Sequence, residues 1–359
     1  MYLSRFLAIA AISLVTGCSI HPLPEDVTGI DTADIVKQIR CETRDAARKI
    51  IIRYLTQLAT DGNSRTAQAL LERFEADPES MAAFDPQREF PGRDRFQIRN
   101  VFDVIYTAGV AYTFDLTMSE HNDLGANASF LGPWATPLTL GLMGNVNRQR
   151  DNVRIFTITD KIGFLLRELN TPNPSGRRYC DGHIALGPNY IYPIAGQIGA
   201  YKTVHTFFQL SFFDGLAAKD AGPGAGGAPT MTDTLTFTTE LNLTVTPSVT
   251  FAPVKTGFNV TSASLSGFGK RIDTHQVAIG LALDPKGKGI AALSSLRGFV
   301  FSGARLGGTR VTVGSPTRGN LVILNRITAT ATSPAEQLAV LAIDQLKSRE
   351  IQLITTASP

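Results

Sequence analysis

Alternation of apolar and polar residues constrains the fold of this 359-residue chain more than any other feature of its sequence. The clearest run covers residues 112–119, where four apolar residues take turns with Thr, Asp, Thr and Ser. Further strands are predicted over residues 138–146, 153–159, 235–245 and 277–283. Because successive side chains of a strand point to opposite faces of a sheet, these runs predict strands with one buried face.

Short connections between the runs predict antiparallel pairing, since parallel strands need a long crossover. We expect polar turns at Asn147–Asn152 and Lys270–Asp273, and short strands near residues 310–313 and 321–327. A helix, a strand, a long loop, a strand and a basic turn follow one another in both halves. This order favours a diverged duplication, and the alternative is that all β-meanders share such a pattern.

Helical spacing of apolar residues predicts the other elements. Helices are expected over residues 32–60 with Thr32 as N-cap, 64–76, and from Pro193 to about 212. A capping box, Ser333-Pro334-Ala335-Glu336, predicts the start of a last helix. Residues 77–98 are rich in Pro, Asp and Arg, and we predict a loop there.

Together these elements predict an α+β fold, with an N-terminal helical hairpin, two antiparallel sheet sections and a C-terminal helix. The N-terminal parts are a signal segment (1–17) and a tether (18–31). Residues 32–216 then hold the hairpin, the first sheet section and a central helix, and residues 217–230 form a Gly/Pro-rich loop. The second sheet section and the last helix occupy residues 231–359.

The N-terminus carries a basic residue, Arg5, an apolar core over residues 6–15, and small residues before Cys18. These three parts define a secretory signal. Its core spans only about 15 Å as a helix, half of a bilayer core, so a permanent membrane span is not expected. The segment Val15-Thr16-Gly17-Cys18 resembles the lipobox of bacterial lipoproteins. The alternative is an ordinary signal peptide with an incidental cysteine.

The resemblance implies cleavage before Cys18, a diacylglyceryl thioether on its sulfur and N-acylation. Ser19 rather than Asp follows the cysteine, which by the sorting habit of the family suggests the outer membrane, with the domain in the periplasm. The Pro-containing segment up to Asp31 is expected to hold the domain up to roughly 40 Å from the lipid.

If Cys18 is lipidated, Cys41 and Cys180 remain as an even pair in an oxidising compartment. Cys41 lies on a charged face of the first predicted helix, which is unusual for a free thiol. We therefore expect a Cys41–Cys180 disulfide. The alternative is two unpaired thiols, with Cys41 covered by another segment.

The sequence contains no complete catalytic, metal or nucleotide motif. The glycines of Gly222–Gly227 match a dinucleotide pattern, but they lie in a low-complexity stretch that leads into a strand. Weak candidates for chemistry are Cys180 with His183, and Glu120 with His121. We predict no cofactor and no metal site.

The formal net charge of +3 and the absence of blocks of like charge argue against nucleic acid as a partner. The leading hypothesis is a lipid-anchored envelope protein that acts as a non-enzymatic scaffold, assembly factor or binding module for an envelope protein partner. The alternative is an anchored periplasmic hydrolase of an envelope polymer, with Cys180, His183, Glu120 and His121 as candidates.

Overall fold

The computed structural model describes residues 22–24, 26, 29–131, 139–182, 189–190, 192–216, 228–250, 259–286 and 333–357. The helices are α1 (Thr32–Thr60), α2 (Arg65–Ala76), α3 (Pro86–Glu89), α4 (Phe96–Thr107), α5 (Ile162–Arg167), α6 (Ala200–Phe212) and α7 (Pro334–Ala357), with 3₁₀ turns at Pro78–Ala83 and Pro193–Ala195. The strands are β1 (Gly109–Leu131), β2 (Thr139–Lys161), β3 (Thr230–Val245), β4 (Ser248–Thr250) and β5 (Asn259–Ala282). The predicted α+β class is confirmed.

Polar side chains cap the first and last helices. The N-cap of α1 is Asp31 rather than Thr32, and its carboxylate accepts a hydrogen bond from the Asp34 amide at 2.7 Å. The capping box of α7 is confirmed, since the Ser333 hydroxyl accepts from the Glu336 amide and the Glu336 carboxylate accepts from the Ser333 amide. These bonds satisfy amides that the helices themselves leave without partners.

One sheet contains all of the described strands. Its order is β2-β1-β5-β3, with β4 also paired to β5, and every pairing is antiparallel. The two sheet sections expected from the sequence are therefore joined, because β1 pairs with β5 from Gly109 to Leu131.

The polar turns predicted at Asn147–Asn152 and Lys270–Asp273 are wrong. Both segments lie inside continuous strands, β2 of 23 residues and β5 of 24 residues. Glu120 of β1 stands opposite Arg150 on one side and opposite Arg271 on the other. Opposite charges in facing positions stabilise strand pairing, so these polar runs continue the strands instead of ending them.

The strand order is the one that two helix–hairpin units produce when they lie side by side. In the first unit α4 precedes the β1–β2 hairpin, and in the second α6 precedes β3 and β5. Each unit presents its second strand and then its first along the sheet, and β1 of the first unit pairs with β5 of the second. This arrangement is what the expected duplication would give.

Among the described residues, helices cover both faces of the sheet at one end, which we call the base. On one face Tyr112 and Phe114 of β1 share a buried cluster with Ile35 and Ile39 of α1. On the opposite face α7 lies so close that a Cβ atom on Gly280 would stand 2.3 Å from the carbonyl oxygen of Ala339. Glycine at this position permits the close approach of the helix.

Residues 77–98 differ from the predicted loop, because they form a 3₁₀ turn, α3 and the start of α4. Asp77 and Asp85 cap the first two of these, and Phe84 and Phe90, which follow these two elements directly, are buried. The Gly-rich motif at 222–227, the strands predicted near 310–313 and 321–327, His183 and Cys18 all lie outside the described residues.

Candidate functional site

The sheet continues far beyond the helices that cover its base. A strand of 23 residues, such as β1, is about 75 Å long. The apolar side chains of β1 are fully buried up to Met118, whereas Leu124 is 52% exposed. We call the outer part, residues 123–131, 139–147, 244–250 and 259–268, the distal sheet.

The two faces of the distal sheet differ in chemistry, as the strand registers show. One face, which we call the apolar face, carries only apolar side chains and glycine among the described side chains. Its members are Leu124, Ala126, Ala128, Phe130, Leu142, Gly144, Val146, Val245, Val249, Ala263, Leu265 and Gly267. The opposite face is mainly Asp, Asn, Ser and Thr, with Met143 and Phe268 as apolar exceptions.

Large side chains of the apolar face are open to solvent in the single chain. The exposed fractions of its Leu and Val residues run from 44% for Leu265 to 56% for Leu142. On the same face at the base, Leu116 and Val277 have no exposed surface. A contiguous exposed apolar patch rimmed by polar residues is typical of an interaction surface. The distal sheet is therefore the candidate functional site.

Two rows that are polar on β1 and β2 separate the apolar face from the buried base. We call Glu120, Asn122, Arg148, Arg150 and Arg271, which share one face in these two rows, the polar belt. In the same rows β5 also has Gly269, and β3 has Leu241 and Leu243. The Arg271 guanidinium donates to the Asp273 carboxylate at 2.8 Å, and Asp273 is only 2% exposed. The belt thus marks the point at which the covering layer of helices ends.

The N-terminal segment is bound at this belt. The side-chain amide of Asn152 donates to the carbonyl of Pro22 at 2.9 Å, and Arg271 donates to the carbonyl of Leu23 at 2.5 Å. Asp26 lies 3.9 Å from the Arg271 guanidinium. The described part of the expected tether is therefore docked on the sheet rather than extended as a spacer. Cys18 precedes Pro22 by four residues, a reach of at most about 14 Å.

A buried polar group supports the belt from the base side. The Tyr192 hydroxyl is hydrogen-bonded to Nε2 of His275 and lies 3.5 Å from the Asp273 carboxylate. Burial lowers the pKa of His275 below its ordinary value, although the Asp273 carboxylate opposes the shift. All three residues are almost completely buried, so we assign them to holding the sheet in place.

Cys41 and Cys180, which the sequence analysis paired, are bonded in the structure, with their Cα atoms 5.7 Å apart. Next to them Arg40 donates two hydrogen bonds to the Asp160 carboxylate, at 2.7 and 2.6 Å, and a third to the Tyr179 hydroxyl. Burial raises the pKa of Asp160, and the Arg40 charge acts against that shift. The disulfide and the ion pair tie α1 to the base end of β2 and to the segment around residue 180.

The sequence-based candidates for chemistry do not form one site among the described residues. Glu120 and His121 are neighbours on one strand, so their side chains point to opposite faces of the sheet. Cys180 is bonded to Cys41. Within the described ranges there is no group of three metal-ligating side chains, and no helix has the length and apolar character needed to cross a membrane.

Sequence reasoning missed the distal sheet as a surface. The signal was present, because Leu124, Ala126, Ala128 and Phe130 keep the period of two that begins at Tyr112. The predicted run ended at Ser119, because the four polar residues Glu120–Asp123 interrupt the alternation.

Comparison with known proteins gives a family for most of the chain. Residues 21–291, which include both hairpins and the docked N-terminal segment, match the family described as uncharacterised protein y4kA. An uncharacterized protein y4kA from Sinorhizobium fredii (strain NBRC 101917 / NGR234) is 32% identical over 276 residues. The aligned part is 76% of this chain and 81% of that relative. This chain therefore belongs to the y4kA family.

Proposed function

We propose that the protein is a lipid-anchored protein of the bacterial outer membrane, attached through Cys18, with its base in the periplasm. It acts as a non-enzymatic structural and binding module, and the distal sheet is its binding surface. The observation that carries this proposal is the uncovered apolar face, which begins at the polar belt where the N-terminal segment is bound.

The position of the segment supports an anchored state. Leu23 is hydrogen-bonded to Arg271 of the belt, and Pro22 to Asn152 in the next row of the same face. Cys18 is at most about 14 Å away from Pro22 along the chain. A lipid on Cys18 therefore attaches the protein close to the start of the apolar face. Two or three acyl chains on one residue are enough for stable anchoring.

The hydrolase alternative lacks comparable support. It requires a nucleophile or an acid–base pair that faces a common space. Glu120 and His121 point to opposite faces, and the sulfur of Cys180 is taken by Cys41. We therefore propose a structural role rather than a catalytic one.

Mass spectrometry of the protein purified from bacterial envelopes tests the anchor. The expected N-terminal peptide begins at Cys18 and carries the mass of a diacylglyceryl group and a further acyl chain. The variant Cys18→Ser should give no acylated protein in the membrane fraction. The matched control, Ser19→Ala, should keep the modification. An N-terminal peptide that starts elsewhere, or an unmodified Cys18, overturns the proposal.

A further inference from the structure

The apolar face has a lipid occupant. We infer that the distal sheet is embedded in the hydrocarbon of a bilayer, with its apolar face against the acyl chains and its polar belt at the headgroups. This inference rests on the proposed anchoring at Cys18 for the place of the bilayer, but its own test does not depend on that residue.

The chemistry of the two faces carries the first step. Every described side chain of the apolar face is aliphatic, aromatic or absent, and its Leu and Val residues are about half exposed. The face behind it is rich in Ser, Thr and Asn. A sheet that is apolar on one side and polar on the other suits an environment with acyl chains on one side only.

The height of the apolar face carries the second step. From Leu124 to Phe130 the strand β1 has seven residues, which extend about 23 Å. The hydrocarbon core of a bilayer is about 30 Å thick. The face is therefore tall enough to enter the core, and the match extends to the neighbouring strands, where Val146 and Gly267 stand in the row of Leu124.

The polar belt and the anchor define the same boundary. Arg148 lies in the belt directly below the first apolar row and Arg150 one row further toward the base, where a bilayer would place its anionic phosphates. The bound N-terminal segment brings Cys18 to this level as well. The lipid on Cys18 brings the bilayer to the rows where the apolar face begins. A soluble protein partner on this face would therefore have to compete with the bilayer.

The free strand edges require a further partner, because backbone groups without hydrogen bonds are not tolerated in hydrocarbon. Within the described part of the sheet, β2 is the outer strand on one side, and β3 followed by β4 is the outer strand on the other. Inside the chain, the first strand of one hairpin unit, β1, pairs antiparallel with the second strand of the other, β5. The same kind of antiparallel pairing, first strand with second strand, forms between two copies of the protein when β3 of one pairs with β2 of the next. This pairing keeps the apolar faces of all copies on the same side.

Fluorescence quenching tests the lipid contact on the full-length protein in vesicles of phosphatidylethanolamine and phosphatidylglycerol. Two matched pairs of neighbours receive one cysteine each: Ala126→Cys with Asn127→Cys, and Val146→Cys with Asn145→Cys. All four positions are exposed in the single chain. Each introduced thiol carries an environment-sensitive fluorophore, and the wild type is treated in parallel to measure any label on Cys18.

We expect acyl-chain bromination to quench the labels at residues 126 and 146 several-fold more than those at 127 and 145. Equal quenching within the pairs, or none at any position, overturns the lipid contact. Labels at 126 and 146 that neither brominated lipid nor aqueous iodide reaches indicate a protein on this face, which also overturns it. A labelled wild type indicates a free Cys18 and contradicts the anchor instead.

Disulfide formation tests the edge pairing. Asn147 of β2 and Thr244 of β3 lie in one row of the sheet, on its polar face and at opposite edges. Oxidation of a vesicle-bound double variant that combines Asn147→Cys with Thr244→Cys or with Asn242→Cys should give a ladder of covalent multimers. Each single variant should stay monomeric. Covalent dimers of a single variant would show that two β2 edges or two β3 edges meet. Double variants that all stay monomeric would show that β2 and β3 of different copies do not pair. Either result overturns the proposed pairing of β3 with β2.

Discussion

Arg271 of β5 donates a hydrogen bond to the backbone carbonyl of Leu23, and so connects the N-terminal segment to the middle of the sheet across a sequence separation of 248 residues. The same guanidinium donates to Asp273, which has almost no exposure of its own. One side chain therefore binds the docked segment and compensates a buried carboxylate.

Replacement of this arginine should loosen the segment and destabilise the base. In Arg271→Ala, the Leu23 carbonyl loses its donor and Asp273 loses its charge partner, so we expect the free energy of unfolding to fall by about 2 to 3 kcal/mol. Hydrogen exchange should become faster in residues 22–30. Chemical denaturation and exchange mass spectrometry measure the two effects.

The matched control is Lys270→Ala, on the opposite face, where the lysine pairs with the more exposed Glu240 at 2.8 Å. This change should alter stability by less than about 1 kcal/mol and leave exchange in residues 22–30 unchanged. Equal effects of the two variants would contradict the role of Arg271.

Loss of the Cys41–Cys180 disulfide should lower stability strongly. The bond closes a loop with a sequence separation of 139 residues, which restricts the unfolded chain, so we expect a loss of about 2 to 5 kcal/mol in Cys41→Ala/Cys180→Ala. Reduction of the wild type should lower its free energy of unfolding by a similar amount. It should leave the stability of the double variant unchanged. Two separate free-thiol peptides in a non-reduced digest of the wild type would show that the bond is absent.

Acidification should weaken the fold through His275. Burial keeps its pKa below the ordinary value, so between that lowered pKa and about pH 6.5 the unfolded chain binds a proton that the folded chain does not. The free energy of unfolding therefore falls as the pH drops below about 6.5, by up to about 1.4 kcal/mol per pH unit from this group.

Denaturation curves between pH 7.5 and 5 measure this dependence. His275→Gln should be less stable than the wild type at pH 7.5 and should show a smaller loss on acidification. The control is His121→Gln, because His121 lies on the opposite face of the sheet and beyond the base. This variant should keep the wild-type slope of unfolding free energy against pH. A wild-type slope that survives in His275→Gln would assign the effect to another group.

Gly280→Ala should displace α7 from the sheet. The added methyl group would stand 2.3 Å from the Ala339 carbonyl and 2.9 Å from the Ile343 side chain. Because the first of these contacts is with backbone, α7 has to move away from the sheet. We expect a loss of about 1 to 3 kcal/mol in chemical denaturation. Gly141→Ala, where nothing lies within 4 Å of the new Cβ, should stay within about 0.5 kcal/mol of the wild type.

Local patterns predicted the elements whose signals are contained in a few neighbouring residues. The spacing of apolar residues and the capping box at Ser333 placed α1, α2 and α7 within a residue or two of their observed starts. The polar stretches at 147–152 and 270–273 were misinterpreted, because a local pattern does not show that Arg150 and Arg271 face Glu120 on a third strand.

By itself the sequence determined that β1 has an apolar face and a polar face, since alternation along a strand is a property of the backbone geometry. Only the tertiary structure decided that Leu116 is buried on this face and Leu124 is not. Burial depends on surfaces that other segments bring to the strand, here α1 and the N-terminal segment at the polar belt. The covering layer ends at Arg271, and the apolar pattern of the strand continues past it.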